Sequence, residues 1–294
     1  MGIGLIINTF FFLYLYKMTE QETEHNMLME FIEHESTIDV ETKLEYPPVA
    51  LSYGEIVKKS PRGDNLFPVP LCTYGNLSVI SAPPKTKKTF FTSLLASVFL
   101  SGNNVYGGDI KGHRGNGDLI HFDTEQGTWH CQNVFKRCYD MDTNIDKKKY
   151  HTFGLRTTAV NDRLKFIEYY LKYKIKEQSF VIIDGVVDLC MDFNNIEQSN
   201  YVVTELLRIS TQYNCHIMTV IHQNYGSDKM SGHLGSYLAK KVETHIELIA
   251  NTVNKDWVTV KCKLSRGFPF ETFSFTVNDY GLPHIVNNIY DPLK

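Results

Sequence analysis

Hydrophobic positions along the chain come in two rhythms that alternate. Short runs that are near-continuously apolar at their centres occur at 76–82 (NLSVISA), 117–125 (GDLIHFDTE), 179–189 (SFVIIDGVVDL) and 215–224 (CHIMTVIHQN). Each is too short for a helix and rich in β-branched residues, which predicts buried strands. A further strand fits 147–155. Between these runs the apolar residues recur every three or four positions, predicting helices at 89–102, 127–141, 161–175 and 199–214. Gly102 ends the first, and an Asn or Asp caps the third. Strands that are apolar on both faces and separated by helices belong to a parallel sheet covered on both sides. After residue 244 the rhythm changes. The segments 245–251, 257–266 and 270–278 follow one another as strands, the last two alternating apolar with polar, which predicts an antiparallel extension at one edge of the sheet. The fold class expected is therefore α/β.

The start of the chain reads differently. Residues 2–16 (GIGLIINTFFFLYLY) are apolar but fall short of the roughly 20 residues a membrane-spanning helix needs. No positive residue precedes them and no small-residue cleavage site follows. A marginal anchor, a buried arm, and an extension ahead of a start at Met18 or Met27 are the three readings, of which the extension is favoured. Residues 18–44 are acidic and carry one amphipathic helix pattern, NMLMEFIEHE; YPPVAL (46–51) then reads as a linker, and 52–75 as short elements and turns. The organisation expected is 1–17 extension, 18–47 acidic helical appendage and linker, and 48–294 one α/β domain.

Composition adds limits. A formal net charge of −3 over 294 residues gives no overall basic field, so contact with nucleic acid has to come from a local patch. Six cysteines occur without a CxxC pair, which points to a reduced, cytoplasmic setting and away from structural zinc. The lysine run 147–149 reads as a solvated face, and Trp129 with the aromatic stretch 166–173 reads as core.

The chemistry concentrates where strands end. SVISAPPKTKKTFF (78–91) runs from strand through a turn with several lysines into a helix. Laid on the phosphate-loop pattern GxxxxGK[ST], residues 82–89 match only at Lys88 and Thr89, because Ala82 and Lys87 stand where the glycines belong. Pro83 and Pro84 also remove two amide donors. A phosphate cradle and a plain basic turn fit this octapeptide equally well. Other strand ends carry Glu125, Asp184 and the pair His222-Gln223. Parallel strands gather such residues at the carboxyl edge of the sheet, where ligands bind in open α/β folds. Each also has a plainer explanation: Glu125 as a helix-start carboxylate, Asp184 as a turn residue, Asp188 as loop, His222 as a satisfied core histidine.

SVISAPPKTKKTF, LIHFDTEQGTWHCQNVFKRC, FVIIDGVVDL, MTVIHQN and GHLGSYLAKKVETHIEL together resemble the RecA-like P-loop ATPases, in particular the RepA-type hexameric replicative helicases of plasmids and mobile elements. The resemblance spans about 48–285. It implies a RecA-like sheet and an ATP site with magnesium (Mg2+), formed by Pro84, Lys85, Thr86, Lys87, Lys88, Thr89, Phe90 and Asp184. Within it Lys88 meets the β- and γ-phosphates, Thr89 and Asp184 hold the metal, Glu125 activates water, and Gln223, with His222 beside it, senses the nucleotide. Residues 226–236 fall where the family has a mobile DNA-facing loop. Lys263 and Arg266 fall where a basic finger reaches a neighbouring subunit. The partners implied are single-stranded DNA, further copies in a ring hexamer, and other replication or mobilisation proteins, with no membrane. The absent glycines and paired prolines favour nucleotide binding over fast hydrolysis, so a regulatory DNA-binding module with little turnover, or a recombinase-like filament former, is the alternative.

Overall fold

The computed structural model describes residues 22–59 and 65–286. The apolar segment 2–16, and with it the readings of its role, lies outside the described residues. No described helix is long and apolar enough to cross a membrane. The chain divides into two compact units, Met1–Tyr46 and Pro47–Lys294. In the first, helix α1 covers 22–36. Its apolar residues Met27, Leu28, Phe31 and Ile32 recur four apart and so share a face, and all four are exposed.

Among the described residues, the second unit is built on a nine-stranded sheet. Six run parallel, in spatial order β9 (Thr244–Ala250), β3 (Leu77–Ala82), β8 (Cys215–His222), β7 (Ser179–Asp184), β5 (Asp118–Asp123) and β6 (Tyr150–Gly154). β10 (Val258–Ser265), β11 (Phe273–Val277) and β12 (Pro283–Val286) extend the β9 edge antiparallel. The expected α/β, mostly parallel sheet with an antiparallel C-terminal edge is the fold observed.

Period-two alternation divides each central strand between two cores. Ile80, Ile182 and Met218 face one side, under α2 (Lys88–Ser101) and α3 (Thr128–Met141). Val79, Val181 and Ile217 face the other, under α4 (Val160–Lys174), α5 (Ile196–Gln212) and α6 (Gly232–Lys241). Strands β3, β5 and β7 are buried at every position, which is why they read as continuous apolar runs.

Two segments expected as linker and turns, 49–58 and 65–73, form a second sheet. β1 (Val49–Lys58) pairs with β2 (Asn65–Thr73) on one side and β4 (Ile110–Gly112) on the other, all antiparallel. Two features hid it. Gly54, at φ 73°, sits where the β1–β2 register shifts between Ser52 and Glu55, interrupting the alternation. Pro68 and Pro70 lie on β2, which is an edge strand and therefore tolerates residues without an amide donor. The strand expected at 147–155 is shorter, because Lys147–Lys149 make a 3-10 turn before β6. Trp129, expected in the core, is 68% exposed on α3; Phe166 and Tyr170 pack against the core while Tyr169 and Tyr173 face outward.

Candidate functional site

The turn after β3 ends at α2, whose first residue is Lys88. Lys85 and Lys87 both adopt the left-handed conformation, at φ 65° and 54°. Glycine usually fills such positions because a Cβ there costs about 1–2 kcal/mol. The Lys87 ammonium donates to the Asp256 carbonyl at 2.7 Å, tying the loop to the β9–β10 turn. No described side chain caps α2, so the amides of its first turn remain suited to an anion.

A cavity of about 290 Å³ opens on this loop, lined by residues 85–90 together with Glu125, Gln126, Asp184 and His222. Strand register explains the convergence. Ala82 is opposite His222 on β8, while Asp123 is opposite Asp184 on β7 and Asp184 is opposite Val220, so four adjacent parallel strands end within two residues of one another at the same edge.

Lys88 is only 9% exposed. Its ammonium donates to the Pro83 carbonyl at 3.2 Å and to His222 Nδ1 at 2.9 Å. A lysine can only donate, so Nδ1 accepts and the imidazole proton sits on Nε2, which lies 3.8 Å from Glu125 Oε2. Burial lowers the Lys88 pKa, against the pull of Asp184 and Glu125. His222 beside it holds the Glu125 carboxyl below the usual range, against burial. Asp184 is the contrast: burial first, then the negative charges of Asp123 and Glu125, push it up to about 7.

Asp184 Oδ2 is buried and has no hydrogen-bond partner among the described residues. The Thr89 hydroxyl reaches the same carboxylate. Crowded negative charge, an orphaned carboxylate oxygen and an adjacent hydroxyl make a donor set of hard oxygens that fits Mg2+. Among the described residues no cluster of three or more His, Cys, Asp or Glu is arranged to cage a metal alone.

The sequence expectation is redistributed in three places. Gln223, assigned to the sensing position with His222 beside it, does not line the cavity. Its amide donates to Glu247 Oε1 at 2.7 Å and to Ser81 Oγ at 3.3 Å, while His222 faces Lys88. Successive residues along an extended chain point to opposite sides, so only one of this pair can reach the loop. Lys263 is engaged within its own chain, donating to Glu247 Oε1 at 2.7 Å and Asp228 Oδ2 at 2.9 Å. Arg266 donates to the Lys241 carbonyl at 2.9 Å. Pro84 is exposed and outside the cavity lining. Gln126 is the lining residue that sequence reading missed, although it directly follows Glu125.

A parallel sheet whose carboxyl edge carries a lysine-bearing loop and converging carboxylates defines a RecA-like α/β fold. Over 74% of this chain and 86% of the other, the structure superposes on a solved structure described as an ATPase domain, with a TM-score of 0.54 at 14% identity. The sequence family described as "AAA domain" matches residues 41–228, well over half of the chain. The chain belongs to that family. No curated protein matches it.

Proposed function

We propose that the protein binds and hydrolyses ATP with Mg2+ at the 85–90 loop and uses the cycle to act on single-stranded DNA, as a helicase-type motor or replication accessory of the RepA kind. The observation that carries this reading is the meeting of Lys88, Thr89, Glu125, Asp184 and His222 around one cavity at the carboxyl edge of the sheet. In this reading the Lys88 ammonium exchanges His222 for a phosphate oxygen. Thr89 and Asp184 would hold magnesium, which supplies positive charge to the polyphosphate. Glu125, kept ionised by His222, accepts a proton from the attacking water as the new oxygen–phosphorus bond forms and the bond from γ-phosphorus to the bridging oxygen breaks, releasing ADP. Assembly into a ring hexamer, residues 226–236 facing DNA, and a contribution from Arg266 to a neighbour's site belong to this proposal.

The test is phosphate release with and without single-stranded DNA, for the wild type and for Lys88→Ala and Glu125→Gln. The expected result is that Lys88→Ala loses nucleotide affinity and Glu125→Gln loses turnover while still binding. Unchanged turnover in both variants overturns the assignment. A second reading, a nucleotide-dependent regulatory module with slow turnover, is favoured by the two non-glycine left-handed residues and by Pro83 and Pro84 in the loop. DNA that leaves a slow basal rate unchanged selects it.

A further inference from the structure

Two carboxylates lie side by side at the ends of neighbouring strands, yet their oxygens are used in opposite ways. Asp184 Oδ2 is orphaned. Asp123, its register partner and fully buried, has both oxygens engaged by its own loop. Oδ1 accepts from the Glu125 amide at 3.0 Å and the Gln126 amide at 2.7 Å. Oδ2 accepts from the Gln126 side-chain amide at 2.7 Å. Such a turn, closed by a side chain on the amides two and three residues ahead, fixes the backbone that carries Glu125. Three of its roughly four acceptor sites are taken, which leaves Asp123 less open to a metal than Asp184.

The same loop is held from the other side. The Thr124 amide donates to the Asp184 carbonyl at 3.0 Å, and its hydroxyl lies 2.8 Å from the Gly185 carbonyl and 2.9 Å from Asp188 Oδ2. Gly185, at φ 101°, leaves the room this needs: a Cβ there would stand 2.7 Å from Glu125 Cγ and still closer to Thr124 Oγ1. Glu125 is thus carried by a backbone gripped on both flanks, while its side chain projects into the cavity beside His222.

We infer that Asp123 is a positioning residue for Glu125, setting where that carboxylate meets the attacking water; this rests on the hydrolytic reading of Glu125 given above. Asp123 does not touch the nucleotide. Loss of its turn lets the Glu125 backbone relax, and a misplacement on the order of 1 Å at a reacting group costs about a hundredfold in rate.

The experiment compares Asp123→Ala, Asp123→Ser and Asp123→Asn with the wild type by three readouts: affinity for a fluorescent ATP analogue, turnover at saturating ATP, and hydrogen exchange of the amides at 125 and 126. Asn keeps an oxygen that accepts from both amides, and the Gln126 side chain can turn over to pair with it. The expected order of turnover is wild type and Asn within about threefold, Ser lower, and Ala lowest by about 10- to 100-fold, with nucleotide affinity unchanged within about twofold. Exchange at 125 and 126 accelerates in the same order. If Ala does not fold, Asn against Ser carries the comparison. The inference is overturned if Ala or Ser turns over like wild type, if Asn falls as far as the smaller variants, or if affinity weakens in step with turnover. Exchange needs no catalysis, so unchanged exchange in Ala and Ser overturns it even in a protein without turnover. Failure of the hydrolytic reading is recognised separately, by Glu125→Gln turning over like wild type.

Discussion

The Lys88 ammonium and the His222 imidazole meet at 2.9 Å, so the cation assigned above to a phosphate already has an acceptor within the protein. On the proposed reading, an entering nucleotide has to take Lys88 from His222. Replacing His222 with Ala removes that competitor and should tighten ATP binding by about threefold, since one hydrogen bond from a charged donor no longer has to be broken. Titration with a fluorescent ATP analogue measures it. Weakening by about tenfold instead would mean that His222 itself contacts the nucleotide.

Lys87 carries a backbone strain that glycine would not, and holds Asp256 in return. Lys87→Gly and Lys87→Ala both lose the tether, but only Ala keeps the strained left-handed backbone. Lys87→Gly should therefore be the more stable of the two by about 1 kcal/mol. Urea denaturation of both variants gives the difference directly, and equal midpoints would mean that the loop relaxes out of this conformation.

Lys263 ties β10 to the segment after β8 through Asp228, and to Gln223 through the shared Glu247 oxygen. Lys263→Met should leave ATP binding intact and raise hydrogen exchange in residues 224–230 by about tenfold, because the ammonium holds that segment through the Asp228 carbonyl at 2.8 Å and the Asp228 carboxylate at 2.9 Å. A finger acting on a neighbouring subunit would instead show unchanged exchange and a loss of turnover, restored by mixing with a variant defective only in Glu125.

Three buried histidines make the fold acid-sensitive above the carboxylate range. Burial depresses the pKa of His121 to about 3 and those of His216 and His245 to about 4. As pH falls below about 6.5 the unfolded chain takes up protons that the folded chain refuses until pH 4 or lower. Stability therefore drops across that window, by up to about 1.4 kcal/mol per pH unit for each histidine. Urea midpoints measured from pH 7 to 4.5 should decline, and His121→Asn should decline less steeply. A flat wild-type profile would contradict the burial of neutral imidazoles.

What the sequence determined by itself was whatever local chemistry encodes. The near-continuous apolar runs at β3, β5, β7 and β8 announce strands buried on two faces, and the polar residues that end them announce a candidate site, because a parallel sheet brings strand ends to one edge. Tertiary structure decided what depends on distant partners. The pairing of β1 with β2 and β4 joins segments whose own patterns are broken by Gly54 and two prolines. The choice of His222 over Gln223 at the cavity turns on which way the chain faces as it leaves β8, and Glu247, 24 residues away, holds Gln223 on the other side. Trp129 is outside because α3 packs on Cys131, Val134 and Cys138, a face that sequence alone shows but cannot orient against its neighbours. The bond from the Glu125 amide to Asp123 lies within three residues of sequence, but that Asp123 stands beside Asp184 depended on β7 arriving alongside β5.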